Sequence, residues 1–323
     1  MAVSATRKSF GQALLELGGE YPEIVVLDAD LSKSTMSKLF ADKYPDRFFE
    51  MGISEANMIG VGAGLALAGK KPFVCSFACF VTGRYDTIRI SVAYSKAAVR
   101  IVGTHAGIGI GEDGNSQMGL EDLGLMRGLP GMTVIQPADD IETRQAVRWM
   151  VEHDTPSYLR LTRQNVKDVN RPGYTFRIGK AVELVSGSDV TIMASGGPVF
   201  HAVEAAELLK REGIEAGVVN VHTIKPIDIE TIVRCAETTG RIVTVEDHNI
   251  IGGLGSAVAE ALAEHGMGRL TRHGLPDVFG ESGSPTDLYR KYRLDAPGIA
   301  AVVREALGGN IPVDFPFSRH YTI

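Results

Sequence analysis

The chain has 323 residues, 44% hydrophobic and 22% charged, enough to bury more than one core, and this length points to two domains. Its net charge is −6, with Lys and Arg scattered rather than blocked, which argues against nucleic acid or an anionic membrane as the main partner. No stretch approaches the ~20 apolar residues of a membrane span, and MAVSATRKSFGQALLEL lacks the apolar core and cleavage site of a secretory signal, so a cytoplasmic protein acting on small molecules is expected.

In chain order, helix periodicity opens the sequence in ATRKSFGQALLELGGEY, followed by β-rich runs at EIVVLDAD (23–30) and RFFEMG (47–52). A second helical segment, SEANMIGVGAGLALAGK, comes next. Ser54 is the expected cap of this helix, its turns are apolar on every side, and Glu55 is therefore carried toward the interior. Such a carboxylate either contacts the helix dipole or is kept dry to share a proton with a ligand nitrogen. The next strand, KPFVCSF (71–77), ends where an open α/β sheet forms its ligand crevice, and Phe77 and Phe80 there could sandwich a flat heteroaromatic ring or simply pack in the core. Cys75, Cys79 and Cys235 form no pattern with metal or disulfide spacing and read as buried thiols.

Beyond AVRIVGT (98–104) lies THAGIGIGEDGNSQMGLEDL, a polar, glycine-rich loop holding His105, Glu112, Asp113, Ser116 and Gln117. Its GIGIG lacks dinucleotide-fingerprint spacing, and the acidic pair that follows would repel a pyrophosphate. His105 is a structural histidine or, beside so many donors and acceptors, an acid/base or substrate clamp. MTVIQP (132–137), the helical DDIETRQAVRWMVEHD and SYLRL (157–161) complete the first series. A Pro/Gly/Ser-bearing stretch follows, then a second βα series from DVTIMAS through AGVVNVH and RIVTVED, with GGPVFHAVEAAELLKREG and GGLGSAVAEALAEHG as helices. The expected fold is α/β, two doubly wound domains: residues 1–170, a linker at 171–187, a second domain at 188–312 and a tail at 313–323.

Taken in order, ATRKSFGQALLELG, LDADLSKSTMS, GISEANM, SFACF, GIGIGEDGNSQMGLED, LTRQN, NVHTIKPID and TVEDHNIIGGLGSAVAE resemble the transketolase family along nearly the whole chain. The resemblance is to its C-terminal half: a pyrimidine-binding domain followed by a transketolase C-terminal domain. The GDG…N diphosphate-binding motif is not seen here. The resemblance therefore implies a split, two-chain enzyme active only with an N-terminal partner subunit, assembled as a heterotetramer, with thiamine diphosphate shared between chains and Mg2+ or Ca2+ held by the partner; no metal ligands are expected in this chain. It implies transfer of a two-carbon ketol unit between sugar phosphates, as in the pentose phosphate pathway. A deoxyxylulose-phosphate synthase-like subunit, a 2-oxoacid dehydrogenase beta-like subunit and a non-catalytic assembly subunit are the alternatives.

The resemblance also assigns residues. Glu55 would touch the cofactor's aminopyrimidine and promote the imino form that removes the thiazolium proton. Phe80, with Phe77 nearby, would lie under that ring, and Asp30 would approach the thiamine. Arg7, Ser34, His105 and Arg163 would grip the sugar phosphate, Asp113 would read a donor-sugar hydroxyl, and His105 would take acid/base work. Where many microbial members have His in GPTH, this chain has Gln117 in GNSQ, which can bind cofactor or sugar hydroxyls but cannot shuttle a proton. Tyr85 receives no cofactor role, and His222 and His248 are expected to be structural.

Overall fold

The computed structural model describes residues 3–171 and 173–308; the expected tail lies outside the described residues. Two open sheets carry the chain. The first has seven strands in the spatial order Thr223–Lys225, Thr133–Ile135, Ser157–Arg160, Arg100–Thr104, Lys71–Phe77, Ile24–Asp28, Phe48–Glu50. All its pairings are parallel except that of Thr223–Lys225. The four central strands from Ile24–Asp28 to Ser157–Arg160 are almost wholly buried, which explains their unbroken apolar runs: both sheet faces are covered by helices, so no strand alternates with water.

The second sheet has the order Arg269–Leu275, Arg241–Asn249, Val190–Ala194, Ala216–Asn220, Val182–Val185, with only the last strand antiparallel. The fold is thus the expected pair of doubly wound α/β units. Two features depart from the sequence reading. Val182–Val185 lies inside the stretch expected as linker; it is a half-exposed edge strand, and short edge strands lack the apolar run that announces a buried one. Thr223–Lys225, from the second series, crosses over to edge the first sheet. The helices Pro285–Lys291 and Ala296–Leu307 also escaped the sequence reading. Among the described residues no helix is long and apolar enough to cross a membrane.

The helix Glu55–Leu67 departs from expectation twice. Ser54 has φ −147°, ψ 66° and makes no side-chain capping bond. The helix is buried on one face only: Met58, Ile59, Gly62 and Ala63 pack inward, while Ala56, Val61 and Leu67 are exposed. It packs against the helical run Ile88–Tyr94, which likewise exposes Ile90 and Tyr94.

Candidate active site

Parallel strands align their carboxyl ends, and side chains just beyond those ends gather along one sheet edge. Asp30 follows Ile24–Asp28, Glu55 follows Phe48–Glu50, Phe80 follows Lys71–Phe77, His105 follows Arg100–Thr104, and Arg163 follows Ser157–Arg160. Arg7 joins them because its helix, Thr6–Glu20, runs back along the sheet to feed Ile24–Asp28, which puts the helix start at this same edge. The Thr162 amide donates to Thr6 Oγ1 at 2.8 Å and pins that start beside Arg163.

Arg7 is the hub. Its guanidinium donates to the Ser34 carbonyl at 2.5 Å and meets His105 Nε2 at 3.4 Å, while its buried Nε has no partner among the described residues. Ser34 thus enters through its backbone, and its hydroxyl makes no hydrogen bond with the described residues. Arginine can only donate, so His105 Nε2 is the acceptor. Nδ1 then carries the proton, given to Thr104 Oγ1 at 2.8 Å, and the Thr104 hydroxyl donates onward to the Ser76 carbonyl at 3.3 Å. His105 is held at φ 57°, a left-handed conformation that turns its ring into the cluster. Burial, then the positive charges of Arg7 and Arg163, push its pKa down to about 3. It is a neutral acceptor near pH 7, not an imidazolium acid, which narrows the acid/base role expected for it.

The aromatic pair does not form a sandwich. Phe77 stacks on Phe80 at 5.6 Å and 11°, and on His105 at 3.8 Å and 24°. A ring inserted between two others needs about 7 Å between their centroids, more than the 5.6 Å that separates Phe77 from Phe80. Phe77 therefore backs Phe80, which is half-buried and makes no other aromatic contact among the described residues. Glu55 is 6% exposed, and its carboxylate accepts no hydrogen bond from the described residues. Its oxygens are therefore open to a ligand able to share a proton with them. Asp30, at φ 62°, is exposed; its amide is tied to Glu50 Oε1 at 2.7 Å.

Asp113 and Gln117 lie on the glycine-rich loop, Asp113 exposed and Gln117 half-buried in the turn Asn115–Gln117, and neither bonds to the cluster. Arg163 donates to the Ile110 carbonyl at 2.7 Å and lies 3.6 Å from Glu112.

Several positioning groups went unseen in the sequence. Asp28, wholly buried, takes hydrogen bonds from the Leu31 amide, Thr35 and Ser37 at 2.7–2.8 Å and so shapes the Ser34 turn. Asp247 of the second unit accepts from the Ile108 amide at 2.8 Å. Both sit at strand ends, a signal that was present but unused. His222 and His248 are buried, but each keeps a buried Nε2 with no hydrogen-bond partner among the described residues.

Family models match as the transketolase pyrimidine-binding domain over residues 3–169 and the transketolase C-terminal domain over 179–299. The chain is 43% identical over 300 residues to the 6-deoxy-6-sulfo-D-fructose transketolase subunit of Clostridium sp. strain MSTE9, covering 93% of each. It is 39% identical to an apulose-4-phosphate transketolase subunit of Phocaeicola vulgatus, over 93% of this chain and 97% of that one. Among solved structures it superposes with a TM-score of 0.88 and 49% identity on a split-gene transketolase in an inactive β4 tetramer, covering 94% of this chain and 98% of the other. Two α/β units matched by these two models define a transketolase-type chain, and it belongs to the transketolase family.

Proposed function

We propose that this chain is the C-terminal subunit of a two-chain, thiamine diphosphate-dependent transketolase that moves a two-carbon ketol unit between sugar phosphates in the cytoplasm, with the partner subunit holding the diphosphate and its divalent cation. The observation that carries the reading is the joint presence, along one sheet edge, of Glu55 with no hydrogen bond to its carboxyl from the described residues, the Phe80 ring and two guanidiniums.

Bound there, the cofactor would supply the carbanion-stabilising thiazolium that makes ketol cleavage accessible. This chain's residues do the rest. Phe80, backed by Phe77, offers a flat apolar face to the aminopyrimidine. Glu55 would share a proton with the pyrimidine ring nitrogen, its carboxyl donating to that acceptor nitrogen. Arg7 and Arg163 suit a phosphate dianion: planar donors match its oxygens, and the unpartnered Arg7 Nε is a donor awaiting an acceptor. His105 Nε2, neutral, accepts from a sugar hydroxyl once Arg7 turns to the phosphate. Asp113 and Gln117 approach the sugar from the loop, and Asp30 approaches the thiamine. One named relative is a 6-deoxy-6-sulfo-D-fructose transketolase subunit and another an apulose-4-phosphate one, so these clamps read a terminal anionic group, here a phosphate, and leave the sugar body to the loop.

The partner's place is supported by the apolar residues left exposed on Glu55–Leu67 and Ile88–Tyr94, with Leu67 67% and Tyr94 83% exposed; an apolar patch rimmed by polar residues marks an interface, and symmetric pairing of such faces gives a heterotetramer. The test is Glu55→Gln in the reconstituted pair. With xylulose 5-phosphate and ribose 5-phosphate, transfer should fall by about 10²–10⁴-fold while the melting temperature holds. Undiminished transfer overturns the assignment, and turnover of pyruvate in place of the ketose would move the chain to the synthase or dehydrogenase class.

A further inference from the structure

A closed circuit of contacts joins the second unit to the phosphate-gripping guanidinium. Arg163 donates to the Ile110 carbonyl at 2.7 Å. Two residues back on the same loop, the Ile108 amide donates to Asp247 Oδ1 at 2.8 Å, with the Gly109 amide 3.4 Å from Oδ2. Tyr289, on the helix Pro285–Lys291, donates its hydroxyl to Asp247 Oδ2 at 2.8 Å. That hydroxyl in turn accepts from Gln164 Nε2 at 2.8 Å, and Gln164 is the neighbour of Arg163. The ring closes on itself, and Asp247 and Tyr289 within it are buried.

The circuit also accounts for two of the loop's glycines. A methyl on Gly107 would overlap the Asp247 carboxylate, and one on Gly109 would overlap the Gln164 amide. The side chains press directly on the loop backbone, so a shift in either is transmitted to Ile110 and its guanidinium.

We propose that Asp247 and Tyr289 are positioning residues that set the Arg163 guanidinium through this ring, so that the second unit, which supplies no group to the cluster itself, tunes affinity for the phosphate end of the substrate. The ring contains no group that touches a reacting atom, so its effect falls on binding of phosphorylated sugars and not on the chemical step. The inference rests on the sugar-phosphate reading above.

The test uses the full chain assembled with its partner. Tyr289→Phe removes one oxygen from a packed ring and leaves the fold intact. It should raise KM for ribose 5-phosphate about five-fold, the worth of one hydrogen bond's alignment, with kcat within about two-fold. KM for glycolaldehyde, an acceptor with no phosphate, should not move. Asp247→Asn keeps an acceptor for Ile108 but turns an NH2 toward the Gly109 amide and Tyr289, and should shift ribose 5-phosphate the same way by more. Equal changes for both acceptors, or none, overturn the inference while leaving the function standing. If the wild-type pair transfers no ketol unit, the functional reading fails instead, and calorimetry of inorganic phosphate then decides the ring's role: weaker binding to Tyr289→Phe than to wild type sustains it, and equal binding ends it.

Discussion

At the scale of single residues, the chemistry follows from which groups are buried without a counter-charge. His105 shows the consequence for pH. In the unfolded chain it takes a proton near pH 6.5; in the folded protein burial and two guanidiniums delay that to about pH 3. The folded state binds fewer protons between these values, so the His105 contribution to stability is present above pH 6.5 and is lost as pH falls toward 3, at up to about 1.4 kcal/mol per pH unit. Urea titrations at pH 7 and pH 4.5 should therefore show His105→Asn gaining about 2 kcal/mol relative to wild type at the lower pH. A constant offset would mean the ring is not buried beside charge. Sequence alone placed His105 at a strand end but could not supply its protonation, which depends on Arg7, 98 positions away. Phe77 carries the same lesson: its spacing from Phe80 suggested a sandwich, whereas its direct stacking on Phe80 and on His105 makes it a support.

At the scale of elements, the glycine-rich loop and the helix Glu55–Leu67 make separable predictions. Gly107 sits at φ 80° against Asp247, a backbone conformation and a packing distance that both exclude a side chain. Gly107→Ala should cost about 1–3 kcal/mol in denaturant unfolding and weaken ribose 5-phosphate binding; a neutral outcome would show that the loop relaxes freely. The loop's polarity was legible as a functional signal, but the reason for its glycines was not, because the side chains that press on it come from Gln164 and Asp247. The helix makes the opposite point. Its all-apolar sequence reads as buried all round, and in the single chain one face is exposed. Apolar residues on that face are left exposed in the single chain, which is why it is the face proposed for the partner subunit. Val61→Asp should leave the stability of the chain within about 0.5 kcal/mol yet prevent co-elution with the partner subunit on size exclusion. Normal assembly by this variant would move the interface elsewhere.

Across the whole molecule, the two units are joined by a buried polar seam. Arg160 pairs with Asp122 at 2.8 Å, and the same guanidinium reaches the Gly119 and Asp247 carbonyls at 2.8 and 2.9 Å. Tyr158 adds its hydroxyl to Asp122 at 2.6 Å. Removing one member strands the other in a low-dielectric interior, so Arg160→Met should destabilise by about 3–5 kcal/mol. Because the seam couples strands of both sheets, calorimetry of that variant should resolve two transitions where wild type shows one. A single unshifted transition would mean the units communicate by another route.

The sequence by itself determined the alternating α/β architecture, the strand ends and the residue types placed just beyond them, because apolar runs and glycine punctuation are local and the carboxyl ends of parallel strands collect on one edge whatever the loops do. What only the tertiary structure decided were the relations among distant segments: Arg7 linking Ser34 to His105, Thr223–Lys225 crossing to the first sheet, and Asp247 clasping the loop. Those depend on distances and on withheld solvent, and neither is a property of any one stretch of chain.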